Sequence, residues 1–339
     1  MIKATVKKST GEEIEIMIPE IGSEISLSQA LDFEFCCLDL FEWLKLNHDE
    51  LESKPLEHIV KIIKCLNVFY SGILDFYELD SKYLEGYDNA SIEKHFEAIK
   101  VGLNKDQAYS SLMGIFNLIY SALKNTNPKL REESTFTYKN ESFVFPSIYK
   151  DPVFNENQFK SPSVRQAIEI LQAQVNYNNY TKELLKTDVK VSEFLYEKFL
   201  SELAVLLLKE GEIIPTDETE FRKHMNERKM LFQDIDLQSA MDIEFWFDSY
   251  YENLKKDKEN YYYFNSSDNN DPKNADELSS QMNAKAKNEE VFKRIGFKSM
   301  LKRLLEIGAF RGRSTNDLDS VNQAPFTDAV KLVSIDNSQ

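Results

Sequence analysis

The stretch Glu13-Ile14-Glu15-Ile16-Met17-Ile18-Pro19-Glu20-Ile21-Gly22-Ser23-Glu24-Ile25-Ser26-Leu27-Ser28-Gln29-Ala30 decides the reading of the fold. Ile14, Ile16 and Ile18 alternate with Glu13, Glu15 and Met17. A period of two with one apolar face predicts a strand. Pro19 and Gly22 end it. Ser26 followed by Gln29 is a capping box, so a helix begins there. Upstream, Lys3 to Lys8 supplies a second arm across Ser9-Thr10-Gly11-Glu12, which makes a β-hairpin. Downstream, Phe33, Cys36, Cys37, Leu40, Phe41 and Leu44 recur at helical spacing and mark one buried face.

The same alternation of hairpin and helix extends along the chain. Pro55 opens a helix with Ile59, Ile62, Ile63 and Leu66 as its stripe, and further helices are expected over 91–102 and 105–124. A second hairpin is expected from Thr135 to Tyr138 and Ser142 to Phe145 around Lys139-Asn140-Glu141. A two-stranded ribbon is marginal alone, so the two hairpins are expected to pair into one small sheet carrying the helical block as an insertion. Ser161 as N-cap and Pro162 at the first helical position open the C-terminal half. Helices follow over about 161–180, 191–209, 216–232 and 236–256, with Gly211 as a stop after the second. In the last, Ile243, Trp246, Phe247, Tyr250, Tyr251 and Leu254 share one face, which is either core or a partner-facing groove. Residues 266–275 read as a polar linker and 276–307 as a polar helix. Beyond Gly308, about 30 residues lack helical periodicity and read as an extended arm that cannot fold by itself. The expected class is α+β, mostly helical. The expected divisions are a hairpin-plus-helix domain (1–150), a helical domain (151–264), a linker with polar helix (265–308) and the arm (309–339).

Composition narrows the functions. Gly and Pro together make only 19 of 339 residues, about half the usual share, which favours long helices over loop-rich scaffolds. Three Cys exclude a disulfide framework, and four His leave little for metal or acid–base chemistry. A net charge of −16 disfavours nonspecific nucleic-acid binding. No apolar signal segment follows Met1, and the apolar run Leu203 to Leu208 is too short for a bilayer, so a soluble protein made in a reducing cytoplasm is expected.

Each candidate for chemistry fails on spacing. Gly308-Ala309-Phe310-Arg311-Gly312-Arg313-Ser314-Thr315 is one residue short of a P-loop, has Arg in place of Lys, and follows a helix. Asp268-Asn269-Asn270-Asp271-Pro272 offers oxygen donors, but Lys273 stands where a calcium loop turns on Gly. His48, Asp49, Glu50, Glu57 and His58 are split by Pro55 and do not share a helical face. His95 and His224 read as isolated surface residues. No catalytic residue, metal or cofactor is expected, and the chain reads as no enzyme. The rival is a metal-dependent hydrolase or nuclease built around His48 and His58. A third reading is a cytoplasmic adaptor.

The order of these features resembles the tail-assembly-chaperone-like and virion structural proteins of tailed bacteriophages, including Bacteroides and crAss-like phages. The likeness rests on Ile16 to Ala30, the two hairpins, the helix opening at Ser161, the segment Leu203-Ala204-Val205-Leu206-Leu207-Leu208-Lys209-Glu210-Gly211-Glu212, and the aromatic helix with Phe245-Trp246-Phe247. It covers about residues 1–256. It implies a non-enzymatic role through protein–protein contact, in the virion at tail, neck or capsid interior, or as a chaperone absent from the mature particle. The implied partners are other virion or tail proteins in an oligomeric assembly, with no direct nucleic acid and no membrane. The expected contact residues are Phe310, Leu318, Val321 and Phe326, with Val330, Leu332, Val333 and Ile335, in the arm. Trp246, Tyr250 and Tyr251 come second.

Overall fold

The computed structural model describes residues 1–7, 13–34, 62–66, 68–70, 105–150, 157–184, 191–256, 304–305 and 317–337. The His48–His58 cluster, His95, Cys36 and Cys37, the calcium-like stretch, the linker, the P-loop-like stretch and Phe310 lie outside them. So do the expected helix over 91–102 and all but 304–305 of the one over 276–307. Within them the protein is mostly helical α+β, as expected. The chain divides into two compact units, Met1–Asn127 with Asp234–Ser239, and Pro128–Gln233 with Ala240–Gln339. The second hairpin therefore belongs to the second unit rather than to the N-terminal domain expected from the sequence.

In the first unit, β1 (Ile2–Lys7) and β2 (Glu13–Ile18) pair antiparallel with Ile2 opposite Ile18 and Ala4 opposite Ile16. Ile16 and Ile18 are buried while Met17 is exposed, as the period of two requires. A 3-10 turn, Gly22–Glu24, leads to the helix over 27–34. Gly22 is needed there by close approach, because a Cβ would lie 2.4 Å from both Cγ2 and Oγ1 of Thr126. The capping box forms: Gln29 N–H donates to Ser26 Oγ, and Ser26 N–H donates to Gln29 Oε1, each at 3.2 Å. Phe33 packs against Phe69 and Phe116, both with ring centroids 5.3 Å away. Ile62, Ile63 and Leu66 complete this core together with α1 (Lys105–Lys124).

In the second unit, β3 (Thr135–Tyr138) and β4 (Glu141–Val144) form the expected hairpin, with Phe136 opposite Phe143. Its turn is Lys139-Asn140 alone, with φ of 47° and 64°. Two consecutive positive φ values give the turn whose twist matches that of paired strands, and Asn tolerates that region. A third hairpin, β5 (Ile148–Lys150) with β6 (Asn157–Phe159), was not foreseen. Each hairpin is its own two-stranded sheet, so the expected single sheet does not form among the described residues. Burial against helices replaces it: Phe143 meets Phe232 at 5.3 Å, and Tyr138 meets Phe232 at 5.8 Å.

The helices of the second unit are α2 (Val164–Leu184), α3 (Val191–Leu206), α4 (Glu218–Phe232), α5 (Leu237–Lys256), α6 (Asp317–Gln323) and α7 (Phe326–Asn337). The first three residues of α5 belong to the first unit. The cap of α2 is Ser163 rather than Ser161: Ser163 N–H donates to Gln166 Oε1 at 2.8 Å, and Gln166 N–H to Ser163 Oγ at 3.3 Å. The carbonyls at the end of α3 are taken by distant side chains, Val205 O by Gln166 Nε2 at 2.9 Å and Ala204 O by Arg228 Nε at 3.2 Å.

The last helices correct the expected extended arm. Residues 317–337 are helical, and Val321, Phe326, Ala329, Val330 and Val333 are buried in the second unit. The anchoring device is a joint between two helix starts. Val164 N–H donates to Ala324 O and Phe326 N–H to Pro162 O, both at 2.8 Å, so Ser163 and Pro325 face each other as an antiparallel bridge. The first unit uses the same joint. Leu27 N–H donates to Ile235 O at 2.8 Å and Leu237 N–H to Ile25 O at 2.9 Å, around Ser26 and Asp236. Two orphan N–H groups of two helices are satisfied reciprocally in each case.

Candidate protein-contact site

The aromatic face of α5 lies in the core of the second unit. Trp246 stacks on Tyr250 with centroids 5.6 Å apart, and Phe159 of β6 meets Trp246 edge-on at 6.2 Å. The Tyr250 hydroxyl lies 3.2 Å from Ser161 Oγ and 3.0 Å from Thr327 Oγ1, and those two hydroxyls are 3.1 Å apart. This triangle fastens α5, the segment before α2, and α7. Burial pushes the Tyr250 phenol up, against the lowering effect of its two hydroxyl partners.

Beside this stack is a cleft of about 210 Å³. Val144, Pro146, Pro162, Leu206 and Leu208 give it an apolar wall, and Trp246 lines it as well. Val144 N–H donates to Leu208 O at 2.7 Å, which closes one side. Gly211, at φ +76°, lets the chain turn back after α3 so that Lys209 and Glu212 both reach the cleft. Lys160, exposed, stands opposite in the lining and makes no ion pair among the described residues.

The cleft's polar groups are of two kinds. Some are engaged: Glu212 takes two hydrogen bonds from Arg228 Nη1 at 3.0 Å, and Lys209 pairs with Glu141 at 3.1 Å. Arg228 in turn lies over Phe143 and Phe232, at 5.2 and 5.4 Å. Others are buried without a hydrogen-bond partner among the described residues: Trp246 Nε1 in the lining, and Arg228 Nη2 and His224 Nε2 beside Glu212. A buried donor left unsatisfied costs about 1–3 kcal/mol. His224 is thus no isolated surface residue: its Nδ1 lies 3.9 Å from Glu212, and burial, with Arg228 nearby, holds its pKa down against the pull of Glu212.

A second charged cluster is buried between α3 and α5. Lys198 Nζ contacts Glu244 and lies 3.4 Å from Glu202 Oε1, and among the described residues no closer donor reaches either Glu202 oxygen. Burial drives the Glu202 carboxyl up to about 8, against the pull of Lys198. Burial would lower Lys198, but Glu202 and Glu244 outweigh it and its pKa is raised. The arrangement is a Lys198–Glu244 ion pair beside Glu202, a carboxyl whose pKa burial has raised.

The expected contact residues separate by position. Trp246, Tyr250, Tyr251, Val321, Phe326, Val330 and Val333 are 0–7% exposed, so the surface they were to offer is already covered by their own unit. Leu318 and Leu332 are 39% and 36% exposed and remain at the surface. Ile335 lies in α7. Lys160, Glu212, His224 and Arg228 were not legible as neighbours, because only His224 and Arg228 share a helical face and packing alone brings that face to Glu212.

No family model matches the chain, and neither does any curated protein or solved structure.

Proposed function

We propose that the chain is a non-enzymatic structural or assembly protein of tailed bacteriophages that acts by contact with other virion or tail proteins in an oligomeric assembly. The sequence resemblance supports this reading, and one structural observation carries it further. The cleft of the second unit is walled by apolar side chains, and its carboxylate is already committed to Arg228. Such a lining suits the docking of a polypeptide better than acid–base chemistry, which needs a titratable group left open to the reactant. Ile213 and Met230, 63% and 70% exposed, add apolar contact area on the same unit. The place of action is then the virion, at tail, neck or capsid interior.

The second reading, a tail-assembly chaperone, has the same contact chemistry and differs only in fate. An amber stop in the gene tests both. Cells infected by the stopped phage are expected to yield particles with missing or incomplete tails, restored by suppression of the stop. Normal numbers of intact, infectious particles would contradict both readings.

A further inference from the structure

We propose that the cleft beside Trp246 is an anchor site for one apolar side chain of an extended, acidic polypeptide segment. The inference rests on the reading that the chain works by contact with other proteins, and it names what that contact recognises. The volume is the first argument. About 210 Å³ is below the range of sites for drug-sized ligands, and suits one side chain with its adjoining peptide group. The wall is the second. Val144, Pro146, Pro162, Leu206 and Leu208 select an apolar group, and neither proline has an N–H to extend a strand ladder. The cleft therefore reads a side chain rather than adding a strand.

The third argument is the indole. Trp246 is 1% exposed overall yet lines the cleft, so its ring adds a flat apolar surface against which a side chain can pack. The fourth is charge. On a chain of net −16, the lining of this cleft presents Lys160 without an ion pair among the described residues, while Lys209 is paired with Glu141 and the one carboxylate of the lining, Glu212, is bound to Arg228. Acidic residues flanking the anchor are complementary to that lining, and they set on-rate and specificity more than affinity.

The chain has two tryptophans, Trp43 and Trp246. In a Trp43→Phe variant the indole emission therefore reports the cleft alone. Titration with Ac-Asp-Asp-Leu-Asp-Asp-NH2 is expected to change that emission saturably. The same peptide with Ala in place of Leu should bind at least about tenfold more weakly, as the lost apolar burial requires. Lys160→Glu should weaken the Leu peptide severalfold, and Lys flanks in place of Asp should abolish binding. The indole N–H resonance of Trp246 in the native chain should also shift saturably as the peptide is added, which checks occupancy of the cleft without relying on any variant. No saturable change in either signal, or equal binding of the Leu and Ala peptides, overturns the proposal. That failure is distinct from failure of the functional reading, because the amber phenotype does not depend on which face makes the contact.

Discussion

At the residue scale, Gly22 and Glu202 show how far side-chain identity can be read from a sequence. The glycine looked like a strand terminator. In the fold it is a contact requirement, since any Cβ there must displace Thr126, whose own hydroxyl donates to Ala122 O at 2.8 Å. Nothing in the spacing foretells a partner about 100 residues away. Glu202 is one of 57 acidic residues and was indistinguishable from the rest. Packing makes it different, because α3 buries it beside Lys198 with Glu244 and Asp248 also facing it. Its pKa is raised from 4.5 to about 8. The folded state therefore holds a proton that the unfolded state releases between those values. The associated stability is complete below about pH 4.5 and is lost as pH rises through about 8, opposite to a salt-bridged carboxylate. Glu202→Gln, which keeps the shape and removes the titration, should be close to the native chain in stability near pH 5. By pH 8.5 it should exceed it, on the order of a few kcal/mol. Urea unfolding at the two pH values measures this, and a variant advantage that does not grow with pH would contradict the raised pKa of Glu202.

At the element scale, the strands and helices that were legible are those with strong local signals. The alternating isoleucines gave β2, the Ser26–Gln29 box gave a helix start, and the aromatic stripe gave α5. The errors share a cause. Ser161-Pro162 looked like a cap, yet Ser161 serves the hydroxyl triangle with Tyr250 and Thr327 while Ser163 does the capping. The segment after Gly308 looked unable to fold because its apolar residues are sparse, but sparse residues suffice when each one is buried against an existing core. Val321, Ala324, Phe326, Ala329 and Val330 are all 0–1% exposed. The missed signal was a recurring phrase. Ile25-Ser26-Leu27, Ile235-Asp236-Leu237, Pro162-Ser163-Val164 and Ala324-Pro325-Phe326 each place a bridging residue between two apolar ones, with Ala three positions later at Ala30, Ala240, Ala167 and Ala329. The arm is thus an integral part of the second unit. Removing residues 317–339 should strip the cover from Val164 and Ala167 and lower the thermal midpoint of that unit by at least about 5 °C, or abolish its cooperative transition. An unchanged melting profile would restore the detachable arm.

At the scale of the whole molecule, the two units share one device: a helix, preceded by one hairpin in the first unit and by two in the second, has its start bridged to the start of a helix from much later in the chain. Boundaries drawn from consecutive stretches of sequence take no account of that device. Each unit is closed by a distant segment, Asp234–Ser239 in one and the last helices in the other, and local composition carries no trace of such closure. Fold class survived this, because it depends on local periodicity alone. Of the expected contact residues, Leu318 and Leu332 stay at the surface while Trp246, Tyr250, Tyr251, Val321, Phe326, Val330 and Val333 are buried, because exposure depends on which faces the closure leaves open. Among the described residues no helix is long and apolar enough to cross a membrane, and the surface apolar residues that remain, with the cleft, suit protein contact. Under the proposed function, quantitative mass spectrometry of purified phage particles whose genome carries this gene tests the central claim most directly. A resident structural protein is present at a fixed number of copies per particle, in constant ratio to the tail proteins across preparations, and that is the result predicted. Absence from the particles would contradict residence in the virion.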